Sequence, residues 1–205
     1  MTNTPFSKRA LDIALAGIGL ILSSPVWGLV AAAVWLEDGA PIFFRQERVG
    51  QGGQTFDALK FRSMVRNAES DRAVQAVAND PRVTRVGRLM RATALDELPQ
   101  LWNIFVGDMS FVGPRALRPQ EVEVNGNGEL LSLDQIPGGR ERHRVKPGLT
   151  GVAQVFAPRD ITRRNKFRYD RLYIRNQSFW FDVRLILLSF WITARGRWEH
   201  GGSKF

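Results

Sequence analysis

Two adjacent carboxylates, Asp96 and Glu97, are the residues whose types best suit chemistry on an anionic substrate. One carboxylate could attack phosphorus or hold Mg²⁺ while its neighbour handles a proton. Arg91, five residues upstream, could neutralise phosphate charge. The alternative is structural, because two acids in a first helical turn stabilise the helix through its macrodipole. The pattern by itself favours the structural interpretation.

The start of the helix that holds these acids can be placed in two ways. Thr93 could cap it with Asp96 as the third helical residue, or Pro99 could open it at its first position. The two placements give different registers. Both predict that Asp96 and Glu97 lie near a helix start, where the macrodipole favours an ionised carboxylate.

Further basic residues are predicted on a β-hairpin and on a loop. Residues 42–49 and 55–62 are rich in strand formers and flank a glycine cluster, which predicts a hairpin. Lys60 and Arg62 would share one face of its second strand, either as a diphosphate clamp or as a solvated edge. Pro114 and Pro119 stiffen a later loop, from which Arg115 could fork onto phosphate oxygens.

Composition narrows the chemistry available to the chain. Its 205 residues include 29 Lys or Arg against 20 acids, for a net charge of +9. Zero cysteines exclude disulfides and thiolate catalysis, and two histidines are too few for a histidine metal cluster. Catalysis would therefore use carboxylates, hydroxyls, basic groups or a bound ion.

The positive charge is concentrated in residues 140–175, which contain 11 Lys or Arg and three acids. An anionic lipid leaflet attracts such a segment, at about 1 kcal/mol per basic residue. Nucleic-acid binding is the competing interpretation, but no recognised module or aromatic stacking pattern accompanies the charge.

An apolar segment near the amino terminus predicts a membrane helix. Residues 13–36 contain no ionisable group, and a straight helix of that length would measure about 36 Å, enough to cross a bilayer core of about 30 Å. The run is too long for the apolar part of a usual signal peptide. A buried core helix is the other alternative.

Ser23, Ser24 and Pro25 lie in the middle of this apolar segment. Pro25 lacks the N–H that would bond the Ile21 carbonyl, which predicts a kink or break, and serine hydroxyls could supply the missing donor. Basic residues occur at both ends of the segment, and positive charge favours the cytoplasmic side. We therefore prefer a re-entrant helix, with a bent spanning helix still open.

These patterns predict an α+β fold that is mostly helical. Its parts are an amino-terminal re-entrant membrane helix broken at Ser24-Pro25, a small β-hairpin and interfacial amphipathic helices. Residues 179–192 are assigned to such an interfacial helix, with a core helix as the alternative. The predicted domains are a membrane helix over residues 1–40 and a catalytic domain with interfacial helices over residues 41–205.

Five blocks of sequence, in this order, resemble the bacterial sugar transferase family, the monotopic polyprenol-phosphate phosphoglycosyl transferases. They are residues 60–64 (KFRSM), 80–88 (DPRVTRVGR), 95–103 (LDELPQLWN), 107–115 (GDMSFVGPR) and 146–151 (KPGLTG). The resemblance extends from about residue 8 to the carboxy-terminal helices, and the chain resembles the family's minimal catalytic unit.

The resemblance implies an Mg²⁺-dependent enzyme that transfers a sugar 1-phosphate from a UDP-sugar to undecaprenyl phosphate and releases UMP. Asp96 would be the nucleophile that forms a phosphosugar intermediate and contacts Mg²⁺. Glu97 would be a base or a positioning group for the lipid phosphate. The residues implied to bind substrate are Lys60, Arg62, Arg91, Pro114, Arg115 and Lys146.

The same resemblance implies partners and a location. The partners are the UDP-sugar, undecaprenyl phosphate and membrane phospholipid, without nucleic acid, and a homodimer is left open. The location is the bacterial inner membrane with the active site on its cytoplasmic face, at the first membrane step of glycoconjugate or polysaccharide assembly. A basic membrane adaptor without activity is the alternative from another class.

The chain departs from the family pattern in three places. Ala116 follows Arg115 where proline is usual, which predicts a less rigid loop. Val152 replaces a common tryptophan. The glycine-rich insert over residues 125–139 matches nothing in the family pattern, and sugar choice could lie there.

Overall fold

A computed structural model describes residues 4–66, 68, 80–124, 127–158 and 161–195. Most of the predicted surface connector over residues 64–79 lies outside the described residues, as do His200 and the carboxy-terminal tail. Within the described ranges the chain forms helices and three small two-stranded sheets, which confirms the α+β class.

The helices are α1 (Phe6–Asp38), α2 (Arg85–Ala92), α3 (Gln100–Val106), α4 (Gly139–Arg142), α5 (Val152–Phe156), α6 (Arg163–Asn176) and α7 (Phe179–Ala194). The strands are β1 (Phe43–Val49), β2 (Thr55–Phe61), β3 (Ser110–Val112), β4 (Val122–Val124), β5 (Leu130–Ser132) and β6 (Gly148–Thr150). Short 3₁₀ turns cover Gln51–Gly53, Leu95–Glu97 and Leu133–Gln135.

The predicted hairpin is confirmed as the antiparallel pair β1–β2, with Phe44 opposite Lys60. Strand β3 pairs in parallel with β6, and β4 pairs antiparallel with β5. The β3–β6 pair requires close backbone approach, since a Cβ on Gly113 would lie 2.9 Å from the backbone nitrogen of Gly148. This pairing brings the segments around residues 113 and 148 together.

Helix α1 is long and apolar enough to cross a membrane, and among the described residues it alone meets that test. Its outward side chains are exposed and apolar, including Ile21, Leu29 and Leu36. The helix runs without interruption across Pro25, so the predicted break in helical structure is not observed. The predicted donor is observed, because the Ser24 hydroxyl donates to the Ile21 carbonyl at 2.8 Å.

The inner side of α1 packs on the rest of the chain along most of its length. Ala16 belongs to the main core cluster, together with residues of α3, α5 and α7. Val30 and Val34 belong to a second cluster with Phe61 and Met90. The predicted division at residue 40 stays a prediction, and α1 is packed into the core of the part that follows it.

Polar contacts fix both ends of α1 to that same part of the chain. At its start, Lys8 Nζ lies 2.8 Å from Asp182 Oδ2 of α7, and Arg9 donates to the carbonyls of Ile104 and Phe105. At its end, the Glu37 carboxylate accepts from the backbone N–H groups of Arg85 and Val86 at 2.7 and 2.9 Å. This carboxylate therefore caps the first turn of α2.

Helix α7 carries apolar side chains on two faces. Leu185 and Ile192 are fully buried, whereas Leu187 and Phe190 are about two-thirds exposed. The charge of Asp182 is buried in its ion pair with Lys8 and does not mark a polar face. The predicted amphipathic pattern is thus wrong for α7, because one apolar face packs in the core and the other is exposed.

The described residues of the insert, 127–139, form β5, a 3₁₀ turn and the start of α4. Leu133 and Ile136 are buried against Phe167 of α6. No described residue of this insert lines the cavity that contains the acid pair. The interpretation that the insert chooses the sugar therefore receives no support from its position.

Candidate active site

A cavity of about 1320 Å³ contains the acid pair and joins most of the elements described above. Its polar end is formed by Asp96 and Glu97 together with basic side chains. These are Arg48, Lys60, Arg62, Arg66, Arg82, Arg91, Arg115 and Arg118. Eight basic residues and two carboxylates in the lining make this end suited to a polyanionic ligand.

The acid pair lies on the 3₁₀ turn Leu95–Glu97, between α2 and α3. The register with Thr93 as the N-cap is therefore wrong, because Thr93 follows the last residue of α2. The register that starts at Pro99 is confirmed to within one residue, since Pro99 has helical dihedral angles and directly precedes α3. Ala94 separates α2 from the turn by adopting a left-handed conformation, with φ 57°, which is an unfavourable conformation for a residue with a Cβ.

Asp96 is buried, with 8% of its surface exposed. Burial raises the pKa of its carboxyl to about 6, against the opposing effect of the Lys60 charge. The expected stabilisation of its ionised form at a helix start is thus wrong, because desolvation dominates. No hydrogen bond to its carboxylate is formed within the described part of the chain. A buried carboxylate without an internal donor is available to a ligand.

Glu97 differs from its neighbour because cations hold it. Lys60 Nζ lies 2.6 Å from Glu97 Oε1, and Arg115 approaches the same oxygen at 3.4 Å. These charges outweigh desolvation and lower the pKa of Glu97 to about 2. The two acids thus differ in protonation behaviour: Glu97 stays ionised, while Asp96 titrates close to neutrality.

Two predicted basic residues line the cavity but are anchored elsewhere. Arg91 donates from Nε to the Ser63 hydroxyl at 2.9 Å, which holds its side chain against the strand end. Arg62 lies just beyond β2 and donates to the carbonyls of Asp38 and Gly39 at 2.9 and 2.7 Å. Its guanidinium therefore caps the end of α1, which leaves less of it for a substrate.

Pro114 and Lys146 do not line the cavity. Pro114 is buried, and its carbonyl accepts from Gly148 N at 2.9 Å. The Lys146 ammonium lies beside Gly107 and close to Arg9, and burial, followed by the Arg9 charge, lowers its pKa. The structure thus brings Lys60, Arg91 and Arg115 to the acid pair but places Lys146 elsewhere.

Arg48 and Arg118 line the cavity although sequence reasoning did not assign them to the site. Burial and the charge of Arg115 lower the pKa of Arg48 to about 10. The hairpin register contained a signal for Arg48, since residues 44, 46 and 48 alternate onto the face that Lys60 shares. Arg118 belonged to the predicted stiff loop.

Asn103 of α3, which sequence reasoning also missed, does not line the cavity but bonds the backbone of β2. Its side-chain oxygen accepts from Leu59 N at 2.9 Å, and its amide donates to the Asp57 carbonyl at 2.8 Å. These two bonds fix β2 against α3 at the residue before Lys60. Asn103 therefore helps to set the distance between Lys60 and Glu97.

A second part of the cavity lining, called the apolar end below, comes from α1 and α7. Leu15, Ile18 and Leu22 come from α1, and Ile186 and Phe190 come from α7. Ile18, Leu22 and Phe190 are largely exposed outside the protein core. The same cavity therefore contains the acid pair with its surrounding basic side chains and the apolar side chains of two helices.

The electrostatic coupling within the site predicts a pH effect. If activity needs ionised Asp96, it should fall as the pH drops through about 6. Lys60→Met removes a charge that lowers the pKa of Asp96, so the acid limb of the pH–rate profile should move to higher pH by roughly one unit. Lys60→Arg keeps the charge, so its limb should lie nearer the wild-type position.

Arg45→Met is the matched control, because Arg45 is an exposed basic residue on the same hairpin. Its acid limb should coincide with that of the wild-type chain. An unshifted limb in Lys60→Met would contradict the assignment of this titration to Asp96.

Residues 3–196 match the sequence profile of the bacterial sugar transferase family. The match covers nearly the whole chain, so the chain belongs to this family, as the five blocks of sequence predicted.

Similar proteins include the UDP-glucose:undecaprenyl-phosphate glucose-1-phosphate transferase of Klebsiella pneumoniae, which is 43% identical over 89% of this chain and 39% of its own length. The UDP-N-acetylgalactosamine-undecaprenyl-phosphate N-acetylgalactosaminephosphotransferase of Aeromonas hydrophila is 41% identical over 88% of this chain and 42% of its own. The exopolysaccharide production protein ExoY of Rhizobium meliloti (strain 1021) is 35% identical over 88% and 82%. The chain thus spans about two fifths of the first two relatives.

Proposed function

We propose that this chain transfers a sugar 1-phosphate from a UDP-sugar to undecaprenyl phosphate and releases UMP. The observation that carries the proposal is the single cavity in which a buried carboxylate without an internal donor lies between basic side chains and an apolar, exposed wall. The first two relatives named above carry this reaction in their names, with different sugars at 43% and 41% identity.

The proposed reaction has two steps, both at the phosphorus attached to the sugar. An Asp96 carboxylate oxygen attacks this phosphorus, the bond to the bridging oxygen breaks, and UMP leaves with the bond's electron pair. A phosphate oxygen of the lipid then attacks the same phosphorus and expels the Asp96 carboxylate. The sugar keeps its bond to oxygen throughout, and two anionic substrates never need to meet directly.

Glu97 takes the positioning role in this proposal. Its pKa of about 2 makes it a weak base, while its ion pairs hold Lys60 and Arg115 beside Asp96. Those cations can offset the charge that develops on the transferred phosphoryl group and on UMP.

The apolar end of the cavity is the proposed place of the acceptor lipid. An isoprenoid chain lying between α1 and α7 would contact Ile18, Leu22 and Phe190, while its phosphate reached the polar end. The proposed membrane face is therefore the exposed surface of these two helices. Both ends of α1 are fixed to the same part of the chain, which supports a topology in which α1 does not carry that part across the bilayer.

Together with the basic residues of α4 and α6, this arrangement supports the location predicted from the sequence, the cytoplasmic face of a bacterial inner membrane. Basic side chains exposed on α6 include Arg164, Arg168 and Arg175. Anionic phospholipid would attract them without any specific contact.

Mg²⁺ is the proposed cofactor, and the donor set fits an ion shared with the substrate. The described residues include no group of three His, Cys, Asp or Glu side chains placed to hold a metal. Asp96 can supply one carboxylate ligand, and substrate phosphates and water can supply the rest, as is usual for this ion. When bound, the ion would neutralise charge on the diphosphate.

The test of the function is a panel of UDP-sugars presented to the purified chain with undecaprenyl phosphate in detergent or vesicles. UMP release and a lipid-linked sugar diphosphate are expected for at least one donor. If no donor in a panel of the common UDP-hexoses and UDP-N-acetylhexosamines gives either product, the proposal is wrong.

Removal of divalent cations should stop the reaction without unfolding the protein. With EDTA, UMP release should fall to background, and added Mg²⁺ should restore it. The thermal unfolding midpoint without substrate should be the same with EDTA and with Mg²⁺, since no metal cage is preformed in the described residues. Full turnover in EDTA would contradict the cofactor assignment.

A further inference from the structure

We propose that Arg142 and Asp170 form a positioning pair that holds the loop of residues 114–119, which carries Arg115, against the cavity. The proposal rests on the proposed function in one respect, that Arg115 binds the diphosphate of the donor. Arg142 itself does not line the cavity, so its effect on the ligand would pass through the backbone of Arg115.

The geometry links three elements. Arg142 ends α4 and Asp170 lies in α6, and both are buried, with 4% and 3% exposure. Arg142 Nε donates to Asp170 Oδ2 at 3.0 Å, and NH2 of the same guanidinium donates to the Arg115 carbonyl at 2.5 Å. The guanidinium carbon lies 4.6 Å from the centre of the Phe167 ring, which restricts its plane. One fork thus connects α6 with the loop.

Four successive carbonyls of this loop are held in the same way. Each accepts a hydrogen bond from a different residue of the surrounding structure. The pairs are Pro114 with Gly148 N at 2.9 Å, Arg115 with Arg142 at 2.5 Å, Ala116 with Arg48 NH1 at 3.0 Å and Leu117 with Val49 N at 2.8 Å. The expectation that Ala116 loosens the loop is therefore not met, because hydrogen bonds constrain the backbone where a proline ring is absent.

Stability alone is a weak reason for the Arg142–Asp170 pair. Desolvating both charges costs much of what their attraction returns, and a well-packed apolar pair is often at least as stable. An arginine is also specifically suited here, because its planar fork can direct Nε and NH2 to two separate acceptors. A lysine ammonium carries its donors on one nitrogen atom and cannot reproduce the two hydrogen bonds to Asp170 and to the Arg115 carbonyl. The arrangement therefore favours a role in geometry.

The experiment measures UDP binding by isothermal titration calorimetry with the full chain in detergent. Arg142→Lys should raise the Kd about tenfold, since a displaced loop misplaces Arg115. In the Arg115→Ala background the same substitution should change the Kd by less than about twofold, because the residue through which it acts is gone. Arg140→Lys, on an exposed arginine of the same helix, is the matched control and should bind as the wild-type chain does.

A purely structural role predicts a different result. It would lower the unfolding midpoint and weaken binding by the same factor in both backgrounds, and that additivity would overturn the proposal, as would an unchanged Kd in Arg142→Lys. If Arg142→Lys does not fold, Asp170→Asn takes its place, and its effect on the Kd is again measured with and without Arg115→Ala. It keeps an acceptor of the same shape facing Nε, and additive effects there would also overturn the proposal.

The proposed function can fail separately. A chain that binds UDP in the Arg142-dependent way but releases no UMP from any donor would retain the positioning pair and lose the proposed reaction. A chain that turns over donors but shows additive effects would retain the reaction and lose the pair. A wild-type chain that binds no UDP at millimolar concentration would overturn the assignment of Arg115 and the positioning role together.

Discussion

Asp96→Asn is expected to lower UMP release by at least about 1,000-fold, because an amide cannot replace the carboxylate that the proposed reaction uses as its nucleophile. The substitution keeps the size and shape of the side chain. It also removes a charge that burial disfavours, since the folded chain holds the Asp96 proton more tightly than the unfolded chain does. At neutral pH the variant should therefore unfold at the same temperature as the wild-type chain or at a higher one.

Asp57→Asn is the matched control for this loss. Asp57 is an exposed carboxylate on β2, so its neutralisation should leave UMP release within about twofold of the wild-type value, as for most surface substitutions. Equal losses in both variants would show that the effect is not specific to Asp96.

Mass spectrometry can test the covalent step directly. Without lipid acceptor, the wild-type chain should release no more than one UMP per molecule and should carry a sugar phosphate on the peptide that contains Asp96. The Asp96→Asn chain should carry none. Continued product formation with no adduct on that peptide would contradict the two-step reaction.

The largest expected effect on stability follows from Lys8→Met. Lys8 lies buried between Asp182 Oδ2 at 2.8 Å and the Val112 carbonyl at 3.0 Å, and the Tyr173 hydroxyl contacts the other oxygen of Asp182 at 2.9 Å. Removal of the ammonium leaves a carboxylate buried without its cation, at a cost of about 3–5 kcal/mol. The thermal unfolding midpoint should fall by roughly 10 °C.

Two further variants make this prediction specific. Arg184→Met removes an exposed basic residue of the same helix α7 and should shift the midpoint by less than about 2 °C. In the double variant Lys8→Met, Asp182→Leu, both buried charges are gone, so most of the lost stability should return. A Lys8→Met chain as stable as the wild-type chain would contradict the importance of this pair.

Local sequence patterns predicted the local features of this molecule. Strand formers around a glycine cluster gave the β1–β2 hairpin, and Pro25 with Ser24 gave the hydroxyl donor to the Ile21 carbonyl. These features depend on residues that are close in the chain, where backbone geometry allows few conformations. The five blocks of sequence identified the family, and the profile match over residues 3–196 confirmed it.

Features that depend on distant parts of the chain could not be predicted in the same way. The position of Asp96 near a helix start predicts an ionised state, but its burial depends on how several elements pack around it. Strand alternation predicts the same role for Arg62 as for Lys60, but the Arg62 guanidinium donates to the carbonyls at the end of α1. Lys146 belongs to a recognisable block, yet its side chain lies beside Arg9 and outside the cavity.

The packing of α1 limits how a water-soluble form of this protein could be prepared. Deleting an amino-terminal anchor commonly serves that purpose when the anchor is joined by a linker alone. Here the deletion would uncover Phe61 and Met90 at one end and Ile104 at the other, and it would leave Asp182 without its cation. Solubility would have to come from polar substitutions on the outward face of α1, with the helix itself kept in place.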